Sequence, residues 1–146
     1  MTLNLATFLR EGALRDPKKP ALIIGDVTLS YELVHAFAQK FAGALEGLGI
    51  SRGQHVALML PNVPAFTITY YGAHYAGTPV IPLYVLLTGD EVAYHLTDSN
   101  AVALVVWEGF LEAGAAGFAQ VDSCQHLIVA RANPTDVSAP DGAYNL

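Results

Sequence analysis

After Ser30 the chain alternates between segments of helical periodicity and short, continuous apolar runs. The apolar runs are His55–Leu60, Thr78–Leu83, Val102–Trp107 and His126–Ala130. Continuous apolar strands are typical of a parallel sheet that is buried on both faces. Because helical segments lie between these runs, the pattern predicts an α/β fold with a doubly wound, parallel, flavodoxin-like sheet and right-handed crossovers.

Two helices are predicted before the first of these strands. The first begins with Asn4 as its cap and ends at Asp16, because the following proline disfavours helical geometry there. Its predicted core face carries Leu5, Phe8, Leu9 and Ala13. The second begins at Ser30, a good N-cap, and Gly47 and Gly49 close it. Its predicted core face carries Leu33, Phe37, Phe41, Leu45 and Leu48.

Three further helices are predicted between the strands. One runs from about Val63 to Ala76, with Asn62 as its cap and Gly77 as its stop. The next begins at Thr88, where Glu91 has the spacing of a capping box. Asp98-Ser99-Asn100 ends that helix, and a weaker helix, rich in glycine and alanine, is predicted between Glu108 and Gln120.

Both ends of the chain have other patterns. Ala21–Ile24, the turn Gly25-Asp26 and Val27–Leu29 predict a short β-hairpin. Residues 133–146 are rich in proline, aspartate, serine and glycine, which predicts a linker or surface tail.

The composition is apolar for a freestanding domain. Hydrophobic residues make up 53% of the chain, charged residues 14%, and the mean hydropathy is +0.38. Globular domains usually contain about 25% charged residues. No stretch approaches the roughly 18 apolar residues that a membrane-spanning helix needs. We therefore expect that another part of the protein covers some of this apolar surface.

The net charge and the cysteine content limit which ligands and which cellular compartments are expected for this protein. A net charge of −6 argues against general nucleic-acid binding, and the cluster Arg15, Lys18 and Lys19 has the composition of a solvated turn. One cysteine, Cys124, excludes an internal disulfide and suits a reducing compartment. The first residues lack the basic and apolar regions of a signal peptide, so we expect a cytoplasmic protein.

Residues with potential chemistry each have a structural interpretation. Gly47, Gly49 and Gly53 follow a helix and precede a strand, the reverse of a dinucleotide-binding loop, and therefore predict a turn. Asp90 and Glu91 lie in a first helical turn, where negative charge is stabilised, so capping is expected. The five histidines lack metal-ligand spacing and are His35, His55, His74, His95 and His126.

Aromatic residues and the thiol are open to two interpretations. His74 lies among tyrosines and could line a pocket, although packing is the favoured interpretation. The aromatic side chains could stack bases or line an acyl tunnel, but their helical spacing favours a core; they are Phe66, Tyr70, Tyr71, Tyr75 and Tyr84. Cys124 has no neighbouring base or helix start, which favours an inert buried thiol.

Several ordered motifs resemble the acyl-CoA synthetases of the adenylate-forming (AMP-binding) superfamily. Pro20-Ala-Leu-Ile-Ile-Gly-Asp26 followed by Leu29-Ser-Tyr-Glu-Leu33 resembles the family's "PAL…G…LTYxEL" opening. Gly49 to Asn62 is similar to "G(V/I)xxGDxVAxxLPN". The remaining matches are Tyr71–Gly77 with Val80–Leu83, Thr88–Ser99 and the strand that follows. The resemblance covers about residues 3–130 and is closest to fatty and medium-chain acyl-CoA ligases.

This resemblance implies a two-step ligase. The full-length enzyme would use a carboxylic acid, Mg·ATP and CoA to make an acyl-adenylate and then a thioester. The family's phosphate loop, "(S/T)SG(S/T)TGxPKG", and its catalytic lysine on a mobile domain are not among residues 1–146. We therefore assign no catalytic, cofactor-binding or metal-binding residue to this chain. The expected domain organisation is an incomplete N-terminal portion of an AMP-binding domain over 1–146, with residues 133–146 as linker.

Two other functions remain open at this point. The chain could be a freestanding α/β binding or oligomerisation module without enzymatic activity, or a nucleotide-dependent oxidoreductase that shares only the fold class. In the ligase hypothesis the expected partners are the remainder of the same polypeptide, the fatty acid, ATP and CoA, with a homodimer also considered.

Overall fold

The computed structural model describes residues 4–133 and 140–146, which form two compact units. The first unit comprises Met1–Arg52 and Asn62–Thr78, and the second comprises Gly53–Pro61 and Pro79–Leu146. The chain therefore leaves the first unit, forms one strand of the second, returns, and leaves again.

The first unit consists of three helices and a hairpin. Its elements are α1 (Ala6–Arg15), β1 (Pro20–Ile24), β2 (Val27–Ser30), α2 (Tyr31–Gly47) and α3 (Pro64–Ala76). Strands β1 and β2 pair in antiparallel fashion around the predicted turn, where Gly25 has a φ of 54°. A positive φ is easily adopted by glycine, which explains the residue at this position.

The second unit is a parallel sheet with two α-helices. Its elements are β3 (His55–Met59), β4 (Val80–Pro82), α4 (Gly89–Asp98), β5 (Ala101–Trp107), a 3-10 turn (Glu108–Phe110), α5 (Leu111–Phe118), β6 (His126–Ala130) and β7 (Tyr144–Asn145). The strand order is β4-β3-β5-β6-β7, and every pairing is parallel. Numbered within the sheet, this is the order 2-1-3-4-5 of flavodoxin-like folds, which confirms the predicted fold class.

Apolar strands form the core of the second unit. Alternate residues of β3, β5 and β6 pack with Val92 and Leu96 of α4 in one cluster; these strand residues are Ala57, Met59, Leu104, Val106, Leu127 and Val129. Intervening residues such as Val56 and Val105 are fully buried as well. Burying a side chain of this size stabilises the fold by about 1.5–3 kcal/mol. This burial of successive residues explains the continuous apolar runs in the sequence.

The first unit has its own, smaller core. Leu9 of α1 packs with Val34 and Ala38 of α2, and the hairpin contributes Leu22 and Leu29. The three helices are thus joined to the hairpin by contacts between apolar side chains.

The predicted core face of α2 is wrong by one position over its first half. Leu33 and Phe37 are 43% and 39% exposed, whereas Val34 and Ala38 are buried. Phe41 and Leu45 are buried as predicted. Because both sets of positions are apolar and spaced by four residues, periodicity alone does not distinguish them. In α1 the same correction applies, since Leu9 and Ala13 are buried but Leu5 and Phe8 are exposed.

The N-cap residues predicted for the helices agree with the structure in some helices and differ in others. Ser30 caps α2 through its side chain, which accepts a hydrogen bond from the Leu33 N–H. The predicted cap at Asn62 is wrong, because Val63 occupies the N-cap position and provides no side-chain hydrogen bond. At α1 the N-cap position is Leu5 rather than the predicted Asn4, although Asn4 Oδ1 still accepts from the Ala6 N–H at 2.8 Å.

The last described residues differ from the predicted tail. Tyr144 and Asn145 form strand β7, which pairs in parallel with Ile128 and Val129 of β6. The polar composition of residues 133–146 gave no sign of this strand, because a two-residue strand has no periodicity to detect. Residues 134–139 of that predicted linker lie outside the described residues.

Candidate functional site

A charged cluster lies at the carboxyl ends of β5 and β6, the sheet edge where α/β proteins bind ligands. Glu108 directly follows β5, and Arg131 directly follows β6. Arg131 Nη1 lies 3.4 Å from Glu108 Oε2, and Arg131 Nε donates to Asn145 Oδ1 at 3.3 Å. Glu108 Oε1 also accepts from the Ala132 N–H at 2.9 Å.

This cluster acts as a structural clasp for β7. The Arg131 side chain is only 10% exposed, and its charge is neutralised by Glu108. A cation committed in this way is a poor anion-binding group, whereas it ties together the ends of β5, β6 and β7. Sequence reasoning missed the cluster. The signal was present, because residues that directly follow neighbouring parallel strands meet at one edge of the sheet.

An apolar groove in the first unit could receive another molecule. It has a volume of about 210 Å³ and runs between β1 and the start of α3. The lining residues are Leu22, Ile23, Ile24, Asn62, Val63, Pro64, Phe66 and Thr67. The polar side chains of the lining are those of Asn62 and Thr67, and the lining offers no general base that could activate the Thr67 hydroxyl.

The groove continues into a row of aromatic side chains on α3. Phe66 and Tyr70 are stacked with ring centroids 6.0 Å apart, and Tyr70 meets His74 edge-on at 4.7 Å. Burial lowers the pKa of His74, so its imidazole is neutral at pH 7. His74 Nε2 is buried without a hydrogen-bond partner among the described residues. The packing interpretation of His74 therefore fits better than a catalytic one.

A second histidine forms a hydrogen bond within the first unit. His35 Nδ1 lies 2.8 Å from the hydroxyl of Tyr75, which joins α2 to α3. Burial is the main cause that raises the pKa of Tyr75, with Arg10 acting in the opposite direction. The phenol thus remains protonated at neutral pH and serves as a structural hydrogen-bond partner. Of the aromatic residues considered in the sequence, Tyr84 stands apart because its ring is mostly exposed.

The remaining sequence candidates have structural roles as predicted. Burial raises the pKa of Cys124 to about 12, so its thiol is not a nucleophile at neutral pH. Hydrogen bonds from the Thr88 N–H and hydroxyl lower the pKa of Glu91, which completes a capping box at α4. Gly49 and Gly53 have φ values of 78° and 89° in the turn before β3.

The described residues contain neither a metal-binding cluster nor a helix that could span a membrane. Residues 4–133 and 140–146 contain no group of three or more histidine, cysteine, aspartate or glutamate side chains that could hold a metal ion. In the same part of the chain, no helix combines the length and apolar character needed to cross a bilayer.

The chain is similar to enzymes that activate carboxylic acids, both in sequence and in structure. A family model described as "AMP-binding enzyme" matches residues 9–143. The long-chain-fatty-acid–CoA ligase FadD13 of Mycobacterium tuberculosis is 33% identical over 104 residues, covering 70% of this chain and 21% of that protein. The long-chain-fatty-acid–CoA ligase of Bacillus subtilis is 34% identical over 102 residues, covering 70% of this chain and 18% of that protein.

Solved structures give the same result for the fold. A benzoate CoA ligase from Burkholderia xenovorans superposes with a TM-score of 0.79 at 26% identity, covering 88% of this chain and 26% of that one. The chain therefore spans about a fifth of the length of the curated relatives and about a quarter of this structural relative.

Proposed function

This chain belongs to the AMP-binding enzyme family, and we propose that it is the N-terminal portion of an ATP-dependent fatty acid–CoA ligase. One observation carries the proposal: curated relatives that match at 33% and 34% identity are named long-chain-fatty-acid–CoA ligases. The flavodoxin-like sheet order and the ordered motifs between Pro20 and Trp107 support it.

In such an enzyme the acid would attack the α-phosphate of ATP, giving an acyl-adenylate and pyrophosphate. The CoA thiol would then displace AMP to give the thioester. Stabilising the charge that develops in these steps requires phosphate-binding donors and cations. The described residues do not fit that task. Gly47 is the last residue of α2, and Gly49 and Gly53 lie in the turn after it, whereas a glycine-rich phosphate loop precedes a helix. In addition, the described residues contain no acidic cluster that could hold Mg²⁺.

We therefore propose that these 146 residues are inactive alone and contribute structure. The sheet β4-β3-β5-β6-β7 supplies a rigid layer, and the clasp of Glu108, Arg131 and Asn145 holds its β7 edge. The neutral His74 and the inert Cys124 contribute to packing. The incomplete AMP-binding domain over 1–146 belongs to this proposal, with Tyr144 and Asn145 as part of its sheet rather than of a linker.

The remaining partners follow from the same function. ATP, Mg²⁺, CoA and a fatty acid would be bound by the whole ligase, and the remainder of the polypeptide would be the principal partner of this chain. The reduced state expected of the single cysteine supports a cytoplasmic location. A homodimer of the ligase is part of the proposal as well.

The first experiment is to sequence the gene beyond the codon for Leu146 and to express what it encodes. We expect a Gly/Ser/Thr-rich loop ending in Pro-Lys-Gly, and fatty-acid-dependent ATP–pyrophosphate exchange by the longer product. The 146-residue chain in the same assay is expected to give only background exchange.

The controls separate the parts of this proposal. Pyrophosphate exchange by the 146-residue chain would disprove its inactivity while leaving the ligase assignment intact. A stop codon directly after Leu146 would disprove the ligase assignment and favour a freestanding binding or oligomerisation module. ATP–pyrophosphate exchange that depends on another class of carboxylic acid would change the proposed substrate and leave the ligase assignment intact.

A further inference from the structure

We propose that the free edge of β1, together with the groove beside it, binds a β-strand from a part of the ligase outside these 146 residues. This inference rests on the proposed function, because the occupant is a segment of the same enzyme. It assigns that segment a binding surface and a binding mode, the addition of a strand to an open sheet edge.

The hairpin edge has backbone groups that pair with no other described strand. Ile24 pairs with Val27 across the turn, and Ile23 pairs with Thr28. In an antiparallel pair, hydrogen-bonded and non-hydrogen-bonded residue pairs alternate. Ile24 and Val27 close a two-residue turn, so Ile23 occupies a non-hydrogen-bonded pair and directs its N–H and C=O away from β2. Among the described residues, no backbone hydrogen bond joins residues 20–24 to any segment other than β2.

The side chains of the hairpin are apolar where solvent reaches them. Ile23 is 70% exposed, and Ile24 and Val27 are exposed as well. Natural sheet edges are usually blunted by lysine, proline or a short length. Between Pro20 and Ser30 the only charged residue is Asp26, in the turn. This edge has the composition of a strand that is paired, rather than one that faces water.

The groove supplies the second half of the binding surface. Three residues of β1 form one wall, and Val63, Pro64 and Phe66 form part of the other. A strand added to β1 would place alternate side chains toward these apolar groups. Thr67 and Asn62 line the same groove, and their polar side chains can form hydrogen bonds with the backbone of the added strand.

The size of the edge decides between the candidate occupants. A five-residue strand is about 17 Å long, and such an edge offers far less than the roughly 800 Å² that each partner buries in a standard interface. A second copy of the chain would therefore be held too weakly. A strand of the same polypeptide needs less contact area, because linkage raises its effective concentration. The curated relatives are about five times longer than the matched region, so they contain ample sequence to supply it.

Amide hydrogen exchange in the longer ligase and in the 146-residue chain tests the proposal. The Ile23 amide is expected to exchange about tenfold or more slowly in the ligase, since local opening is suppressed when the edge is paired. The Ile24 amide, already paired with β2, is the internal reference. Equal Ile23 exchange rates in both proteins would overturn the proposal even if the ligase is active.

A pair of matched substitutions provides an independent readout. Ile23→Lys replaces a groove residue, and Leu14→Lys replaces a residue on α1 that is equally exposed, at 67% against 70%. In the 146-residue chain both substitutions should leave Tm nearly unchanged, since both side chains face solvent. In the ligase only Ile23→Lys should lower Tm, because a buried lysine would oppose strand docking. Identical effects of the two in the ligase would overturn the proposal.

Two further outcomes would show either that another molecule occupies the edge or that no longer ligase exists. Protection of Ile23 that rises with the concentration of the 146-residue chain would show that a second copy is the occupant, and would overturn the assignment to the ligase. An absence of any further coding sequence would disprove the proposed function and this inference together. An active ligase with an unprotected Ile23 amide would disprove this inference alone.

Discussion

At the scale of single residues, the potentially reactive side chains of this chain are occupied by structural contacts. The carboxylate of Glu91 accepts hydrogen bonds from the N–H and hydroxyl of Thr88 at 2.8 and 2.9 Å. Burial keeps the Cys124 thiol protonated and the His74 imidazole neutral. A side chain whose hydrogen bonds or burial stabilise its unreactive form contributes to stability rather than to catalysis.

The capping box of α4 leads to a prediction about stability. Thr88→Ala removes the side-chain acceptor of the Glu91 N–H and is expected to lower the free energy of unfolding by about 1 kcal/mol. Thr97→Ala is the matched control, because Thr97 lies in the same helix and its hydroxyl donates back to the Ala93 carbonyl instead of capping the helix. Urea denaturation of both variants measures the difference. Equal stabilities of the two variants would contradict the role of the box.

The same box predicts a pH dependence. The pKa of Glu91 is lower in the folded chain than its ordinary value of 4.5. Its stabilising contribution is therefore fully present above about pH 4.5 and is lost as the pH falls through the lower, folded-state pKa. The stability difference between wild type and Thr88→Ala should accordingly shrink in acid. A difference that grows below pH 4.5 would contradict this assignment.

At the scale of elements, α2 and α3 pack closely within the first unit. A Cβ added at Gly72 would lie 2.7 Å from the Ala38 carbonyl oxygen and 2.8 Å from Phe41 Cδ1. Glycine at this position therefore permits the two helix backbones to approach. Gly43 lies in α2 as well, but an added Cβ there would meet nothing within 4 Å.

This contrast predicts opposite effects of the same substitution. Gly72→Ala should destabilise the chain by about 1–3 kcal/mol, because backbone atoms must shift to admit the methyl group. Gly43→Ala should instead stabilise it by about 0.5–1 kcal/mol, since alanine has the higher helix propensity. Thermal or urea denaturation gives the sign of each effect. A Gly72→Ala variant as stable as wild type would show that the two helices separate easily.

At the scale of the whole molecule, charge is distributed unevenly between the two units. Six of the seven lysine and arginine residues belong to the first unit, whereas eight of the thirteen aspartate and glutamate residues belong to the second. The first unit is thus nearly neutral, and it also carries most of the large exposed apolar side chains, among them Phe8, Leu14 and Ile23. Weak charge repulsion and exposed apolar surface together favour association.

We therefore expect the 146-residue chain to self-associate and to bind a hydrophobic dye more strongly than the longer ligase that we propose, at equal molar concentration. Its solubility should be lowest near its isoelectric point of about 5.1. Light scattering after size exclusion, with dye fluorescence measured on the same fractions, tests both statements. A monodisperse chain that binds little dye would contradict them and would favour a self-sufficient module.

The sequence by itself determined the α/β class, the hairpin, the parallel strands and the family. Those features depend on local signals: continuous apolar runs for β3, β5 and β6, a capping box at Thr88 and Glu91, and glycine at the turn before β2. Each signal lies within a few residues, so it can be read without knowing what packs against it. The absence of the family's phosphate loop from residues 1–146 could be read in the same way.

Only the tertiary structure decided which apolar face of α2 is buried, because Leu33 and Val34 are equally apolar and their burial depends on the position of neighbouring elements. The clasp was accessible only in part, because Glu108 and Arg131 directly follow two predicted strands, whereas Asn145, 37 positions from Glu108, joins them only when β7 pairs with β6. The open edge at Ile23 is also a tertiary property. A strand pattern predicts that a strand exists, whereas the surrounding fold determines which of its edges remain unpaired.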